Sequence, residues 1–245
     1  MSGKLFCAGV AAIACLLGTQ TVWGQEAGTA GLEKDAGATP VAQPSPSWQA
    51  GVAMGFKVGT LGPGVDLTVG IAEKFNLRGN LSYLGFAYHR EEDEDDYHFK
   101  LSTLTSLLLL DWHVGGGQFR LSAGACLANG YGRYEESSTE DIKVGDNRYP
   151  GAGVGTLTKK VSLPTLAPYV GIGVGDAVDE DSDVTFSFDL GVVIPWCDVT
   201  VSADGPLASD PAFRVDLAKE KDDFTDDVRD WPVYPVLSFG MAFKF

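Results

Sequence analysis

From Trp48 onward one pattern dominates the chain, in which apolar residues alternate with polar or small ones at a period of two. Trp48, Ala50, Val52, Met54, Phe56 and Val58 alternate with Gln49, Gly51, Ala53, Gly55 and Lys57. Val65, Leu67, Val69 and Ile71 alternate with Asp66, Thr68, Gly70 and Ala72. Val184, Phe186, Phe188, Leu190, Val192 and Ile194 stand against Thr185, Ser187, Asp189, Gly191 and Val193. Side chains change face at every residue of a β-strand, so the pattern describes strands with one apolar face. Further strands are predicted over 76–88, 99–112, 119–127, 161–175 and 233–245, which brings the number to eight. The 99–112 segment is the least regular, because four leucines run together at 107–110. Turns are expected at Gly59–Gly64 and at Gly115–Gly117.

Alternation does not say which face points inward. In a soluble sandwich or barrel the apolar face is the core, whereas in a membrane barrel it faces lipid and the polar face lines the lumen. The two ends of the chain favour the second arrangement over a secreted soluble β-protein. Met1 to Lys4 is a short basic segment, and Leu5 to Leu17 is an apolar run too short to span a bilayer. Residues 1–24 therefore read as a signal peptide cleaved after Gly24. Ala12 to Cys15 offers a weaker lipoprotein alternative, since Leu16 and Leu17 continue the apolar run past the cysteine. Residues 25–47 are rich in Ala, Gly and Pro without a hydrophobic period and read as a disordered leader. Residues 48–245 are left as the barrel domain. At the other end, Ser238, Gly240, Phe243 and Phe245 have the polar, glycine and terminal-aromatic spacing with which outer-membrane barrels address their assembly machinery.

The expected fold is all-β: an eight-stranded antiparallel transmembrane β-barrel of the outer-membrane type. Its first strand, from Trp48, should close on the strand from Val233 to Phe245, because lipid cannot satisfy an open sheet edge. An even strand number puts both ends in the periplasm. The connections 72–75, 114–118 and 176–183 then become short periplasmic turns. The Gly59 turn and the segments 89–98, 130–160 and 195–231 face outward. Within the last of these, 215–231 reads as an acidic helix with Leu217, Phe224 and Val228 on one face and Asp216 near its start.

The formal net charge is −15, with no Lys/Arg cluster, which argues against nucleic-acid binding. On the polar faces, Arg78, Asp111, Arg120 and Asp189, with Asp66, are candidates for a lumenal ion-pair network. The network would either line a path for solutes or lock a narrow barrel shut, since eight strands enclose little more than their own side chains. Glu91, Glu92, Asp93, Glu94, Asp95 and Asp96 form an acidic run flanked by His89 and His98. Read as an outer loop, it is a solvated surface, a collector of cationic solutes, or a partner for divalent cations that bridge lipopolysaccharide. No metal site or cofactor is assigned. Gly-x-Ser-x-Gly is absent and His113 falls far from His89 and His98, so no catalytic residue and no enzyme activity are assigned. Cys126 and Cys197 are the two cysteines beyond the signal segment, too few for a disulfide scaffold.

Several short motifs, in order along the chain, resemble a family of small outer-membrane proteins that includes an ornithine-uptake porin associated with carbapenem resistance. They are Gly59-Thr-Leu-Gly62, Leu110-Asp-Trp112, Phe119-Arg-Leu-Ser-Ala-Gly124, Ala167-Pro-Tyr-x-Gly171-x-Gly173, Asp189-x-Gly191 and the acidic segment before Tyr234-Pro235. The resemblance implies an eight-stranded barrel and, at most, a slow or selective pore for small, basic amino acids. The competing class is a closed structural or surface-interaction barrel whose outer loops bind lipopolysaccharide or a partner. A channel continuous to water size would support the first, and a side-chain plug the second.

Overall fold

The computed structural model describes residues 51–92, 95–178 and 182–245. The expected signal peptide, the leader and Trp48 lie outside the described residues, as do Asp93 and Glu94 of the acidic run. Twelve strands occur among the described residues: β1 (Val52–Gly59), β2 (Gly64–Ala72), β3 (Phe75–Glu92), β4 (Asp95–His113), β5 (Phe119–Ser138), β6 (Asp141–Val144), β7 (Asn147–Pro150), β8 (Leu157–Ser162), β9 (Ala167–Val174), β10 (Val184–Val193), β11 (Asp198–Ala203) and β12 (Tyr234–Lys244). Eight of them close a ring in the order β1-β2-β3-β4-β5-β9-β10-β12, with β12 returning to β1. The closing pair is antiparallel and runs from Ala53 opposite Lys244 to Gly59 opposite Ser238. The chain is thus an eight-stranded antiparallel β-barrel with no free edge in the ring, which is how strands satisfy their backbone in lipid.

The period of two sorts the side chains. Phe56, Leu67, Leu108, Phe186, Leu190 and Phe239 point away from the barrel and are exposed, while Asp66, Asn76, Arg78, Asp111, Arg120 and Asp189 point inward and are buried. A soluble barrel would reverse this. Aromatic residues flank the apolar band. Phe75 stacks on Trp112 at the end with short turns, and Tyr83 and Trp196 are exposed at the other. The four successive leucines also resolve by parity. Leu107 and Leu109 are buried inside, and Leu108 and Leu110 are exposed outside. That segment reads irregularly because its inner face is itself apolar.

Three strands are far longer than a membrane crossing needs. β3, β4 and β5 contain 18, 19 and 20 residues. At about 3.4 Å per residue they reach roughly 60–70 Å, against an apolar band about 25 Å tall. Residues 89–98, expected as a loop, instead continue the β3–β4 ladder to Glu92 opposite Asp95. Ladder hydrogen bonds and the Phe86–Phe99 contact, with ring centroids 6.2 Å apart, hold the hairpin together. They prevail over the like-charge pair of Glu91 opposite Asp96, which costs roughly 0.2–1 kcal/mol.

The strand expected over 161–175 is two strands. Val161 belongs to β8, outside the ring, and the sixth ring strand begins only at Ala167. Pro164 lies between them and has no N–H to donate to a ladder. Above the ring, the distal half of β5 leaves β9 and pairs with β8, which pairs with β11. This outer sheet carries the β6–β7 hairpin and a helix, Pro211–Arg229. The helix starts four residues before the expected Val215. Asp210 caps it, accepting from the backbone N–H of Ala212 and Phe213, and Pro211 occupies its first turn. Asp216 consequently sits in the second turn. Phe213 packs with Ile142, Val144, Val154 and Leu157, and Phe224 with Val161 and Val199. Leu217 and Val228 join the same contacts, as the helical period requires.

Candidate functional site: a charged plug beneath an apolar chamber

Six ionisable side chains from six ring strands meet in the barrel interior: Lys57 of β1, Asp66 of β2, Arg78 of β3, Asp111 of β4, Arg120 of β5 and Asp189 of β10. Asp189 is the hub. Its carboxylate accepts from Lys57 Nζ at 2.7 Å, Arg78 Nη1 at 3.0 Å and Arg120 Nη2 at 2.5 Å, and Ser238 Oγ lies 3.4 Å away. Lys57 also contacts Asp66 at 2.7 Å. Arg78 Nη2 donates to Asp111 Oδ1 at 3.0 Å, and so does Ser122 Oγ at 2.5 Å. Arg78 Nε lies 2.8 Å from Asp111 Oδ2 but is not aligned as a hydrogen bond, so that contact is Coulombic only. Arg120 additionally donates to the carbonyl of Gly175.

Three cations and three carboxylates leave the cluster with no formal net charge. Buried charges persist only when they are paired and hydrogen-bonded in this way. The cluster also fills its space. The voids against it measure about 20 Å³ on each side, room for roughly one water apiece. Glycines on facing strands make its packing possible. A Cβ on Gly173 would lie 2.6 Å from Asp189 Oδ1 and 3.0 Å from Arg120 Cζ, and one on Gly191 would lie 2.4 Å from the Tyr169 hydroxyl. At the end with short turns, Val178 reaches the strand ends at Gly51 and Gly70. His113 is buried there, between Asn76 Nδ2 at 3.0 Å and the Gly117 carbonyl at 3.1 Å.

On the other side of the plug the interior changes character. Leu107, Leu109, Tyr169, Val193 and Val236 form an apolar layer over the charges. Beyond it is a cavity of about 200 Å³, bounded by the ring and by the C-terminal end of the helix at Val228 and Trp231. Cys126 and Cys197 both line it and both are free thiols.

The structure therefore brings Arg78, Asp111, Arg120 and Asp189 into one cluster, together with Asp66. Lys57 was missed as a member, although it is the one charged residue on the inner face of β1, which is the cue that could have found it. The acidic run stands apart, high on the β3–β4 hairpin. His89 and His98 are directly opposite there, with their Nδ1 atoms 3.2 Å apart, and Asp96 Oδ1 lies 3.3 Å from His89 Nδ1. Glu91 takes His89 Nε2 at 3.0 Å. Ser238 and Gly240 face inward beside the plug, whereas Phe243 and Phe245 face outward at the end with short turns.

The outer sheet and helix are joined by polar contacts as well. Asp216 accepts from the Tyr149 hydroxyl and from Asn147 Nδ2, which holds its carboxyl below the usual carboxylate range and pushes the Tyr149 phenol up. Glu220 accepts from the backbone N–H of Gly145 at 2.9 Å and pairs with Lys159. Lys219 pairs with Asp146.

A closed ring with an apolar exterior, aromatic belts, short turns at one end and tall hairpins at the other defines an outer-membrane-type β-barrel. Among solved structures the chain is similar to two proteins of Acinetobacter baumannii, CarO2 and CarO. The TM-scores are 0.52 and 0.51, at 16% and 15% identity. Each match covers 80% of this chain, and 100% and 98% of the respective relative. At that identity the likeness is one of fold. No protein-family model and no curated protein matches the chain.

Proposed function

We propose that this protein is a closed outer-membrane barrel that holds a folded, acidic module at the cell surface, and that it is neither an open pore nor an enzyme. The observation that carries this reading is the neutral plug. Three cations and three carboxylates neutralise one another, with only Arg78 Nε and Arg120 Nε lacking a hydrogen-bond partner, and the voids beside them admit about one water each. A basic amino acid crossing the barrel would have to break several buried ion pairs at once, with nothing of equal geometry to replace them. The expectation of a selective solute channel is thus the less favoured of the two sequence readings. The termini and short turns face the periplasm, residues 1–24 serve as a cleaved signal peptide, and residues 25–47 form a periplasmic leader. Ser238, Gly240, Phe243 and Phe245 address the barrel-assembly machinery. Lipid surrounds the apolar band. At the outer surface the acidic hairpin meets the phosphate layer of lipopolysaccharide through bridging divalent cations.

Conductance tests this. The purified chain in planar bilayers should show no steady conductance, and its liposomes should not swell in arginine, lysine or glycine. The triple variant Lys57→Ala/Arg120→Ala/Asp189→Ala removes two cations and the hub carboxylate and should conduct. Steady conductance or basic-amino-acid swelling by the unaltered protein would overturn the closed reading.

A further inference from the structure

The plug explains the lower half of the barrel but not the chamber above it. That cavity, about 200 Å³, is walled by leucines, valines and proline rings and includes no charged side chain. Its polar side chains are few, and two sets of them are partnered. The Tyr234 hydroxyl donates to the Thr60 carbonyl at 2.7 Å, and the Thr103 and Thr105 hydroxyls lie 3.4 Å from each other. Water needs two to four polar partners to reside in a cavity, and away from the Thr103–Thr105 pair and the Trp231 indole these walls are apolar. A cavity of about 150 Å³ lined by such side chains takes benzene, so one of this volume has room for a substituted ring.

The chamber also has an approach. Leu84 of β3 and Leu101 of β4 belong to its wall. Two residues farther from the membrane, on the same faces, stand Phe86 and Phe99, then Tyr88. Phe86 and Tyr88 are 44% and 53% exposed, which is a large apolar area to leave open to solvent. Trp231, at the rim beneath the helix end, is 56% exposed. An aromatic slope thus leads from the cell exterior into an apolar chamber whose floor is closed.

We propose that this chamber is a binding site for a small, uncharged, apolar molecule of single-ring size, such as an alkylbenzene. A lipid tail is the less favoured occupant, because the walls offer no cation to hold a phosphate headgroup. The site does not depend on whether the plug conducts.

Cys197 supplies the readout, since it lines the chamber and is only half-buried. The full chain in lipid nanodiscs is treated with N-ethylmaleimide, with and without ethylbenzene, and alkylation of Cys197 is followed by peptide mass spectrometry. At ethylbenzene about four times its Kd, alkylation should slow about fivefold, the factor 1 + [L]/Kd, and should saturate. Trp196→Cys, at a position outside the chamber wall and 68% exposed, reports ligand dissolved in the bilayer, and alkylation of the introduced thiol should not slow. Ala128→Phe fills the chamber and should abolish the protection of Cys197. Heat-modifiable mobility on gels verifies that each variant folds, and Leu84→Phe serves as the filling variant if Ala128→Phe does not. Unslowed Cys197, equal slowing of the thiol introduced by Trp196→Cys, or non-saturating slowing would overturn the proposal. So would an acyl chain that co-purifies and is not displaced by ethylbenzene.

Discussion

Asp189→Asn is the sharpest probe of the plug, because the change is isosteric and removes only charge and acceptor capacity. Three cationic donors converge on this carboxylate, from Lys57 at 2.7 Å, Arg78 at 3.0 Å and Arg120 at 2.5 Å. Side chains of all four are at most 9% exposed, so solvent screens these contacts little. A charge-assisted hydrogen bond contributes roughly 1.5–3 kcal/mol, and the asparagine carbonyl keeps about one of the three. The plug would carry one uncompensated positive charge, a defect that typically costs about 3–5 kcal/mol. We therefore expect a loss of about 3–5 kcal/mol in reversible urea unfolding in micelles, followed by tryptophan fluorescence. Adding Lys57→Met restores neutrality, since Arg78 and Arg120 then face Asp66 and Asp111. The double variant should be more stable than the sum of the two singles by roughly 0.5–3 kcal/mol. A loss below about 1 kcal/mol for Asp189→Asn, with an additive double variant, would mean that water already satisfies these charges and that the plug is not sealed.

Leu190→Arg tests which medium surrounds the barrel, because Leu190 points outward from the middle of β10. It should destabilise by about 2–4 kcal/mol in bilayers, whereas in a soluble barrel an exposed Leu→Arg would be nearly neutral. Deleting Phe245 should impair assembly more than stability. The truncated chain is expected to accumulate in the periplasm or be degraded, and unchanged outer-membrane levels would count against the assembly role. Tyr149→Phe addresses the outer module. Asp216 has a depressed pKa in the folded state, so its contribution is present above the unfolded value, about 4, and fades as pH falls through the folded one. Hydrogen exchange of the Pro211–Arg229 helix should therefore be faster in the variant at pH 7, with the difference vanishing in acid.

The barrel was legible because its code is local. A period of two states which residues share a face, and the structure turns the apolar face outward and the charged face inward. Connection lengths then separate the end with short turns from the end with tall hairpins. What local patterns could not convey was pairing at a distance. Nothing near Val161 says that β8 leaves the ring to join β11, although Pro164 marks a break there. Nothing within 89–98 says that the ladder outlasts the like charges opposed on it. The helix start, by contrast, was readable and overlooked, since Asp210-Pro211 is a cap followed by a first-turn proline.

The same division runs through the barrel's interior. Its lower half is polar and could be anticipated residue by residue, because a charge on an inward position has to find an opposite charge across a narrow lumen. Lys57, Asp66, Arg78, Asp111, Arg120 and Asp189 are each conspicuous in alternation, and neutrality alone suggests that they meet. Between this half and the chamber above, β4 is apolar on both faces along the run from Leu107 to Leu110, so alternation fades at the layer that floors the chamber. An apolar inner face has no value for passing charged or hydrated solutes, and a membrane barrel needs apolar residues only outside. Apolar residues kept on the inside must therefore serve either packing or a ligand. Leu107 and Leu109 pack, since they are buried against Tyr169, Val193 and Val236. Leu84 and Leu101, half-buried around a space of about 200 Å³ and continued by exposed aromatics, do not complete a core. The place where the sequence pattern weakens is thus where the barrel stops being only a closed membrane element, and the chamber is what an outer-surface function would use.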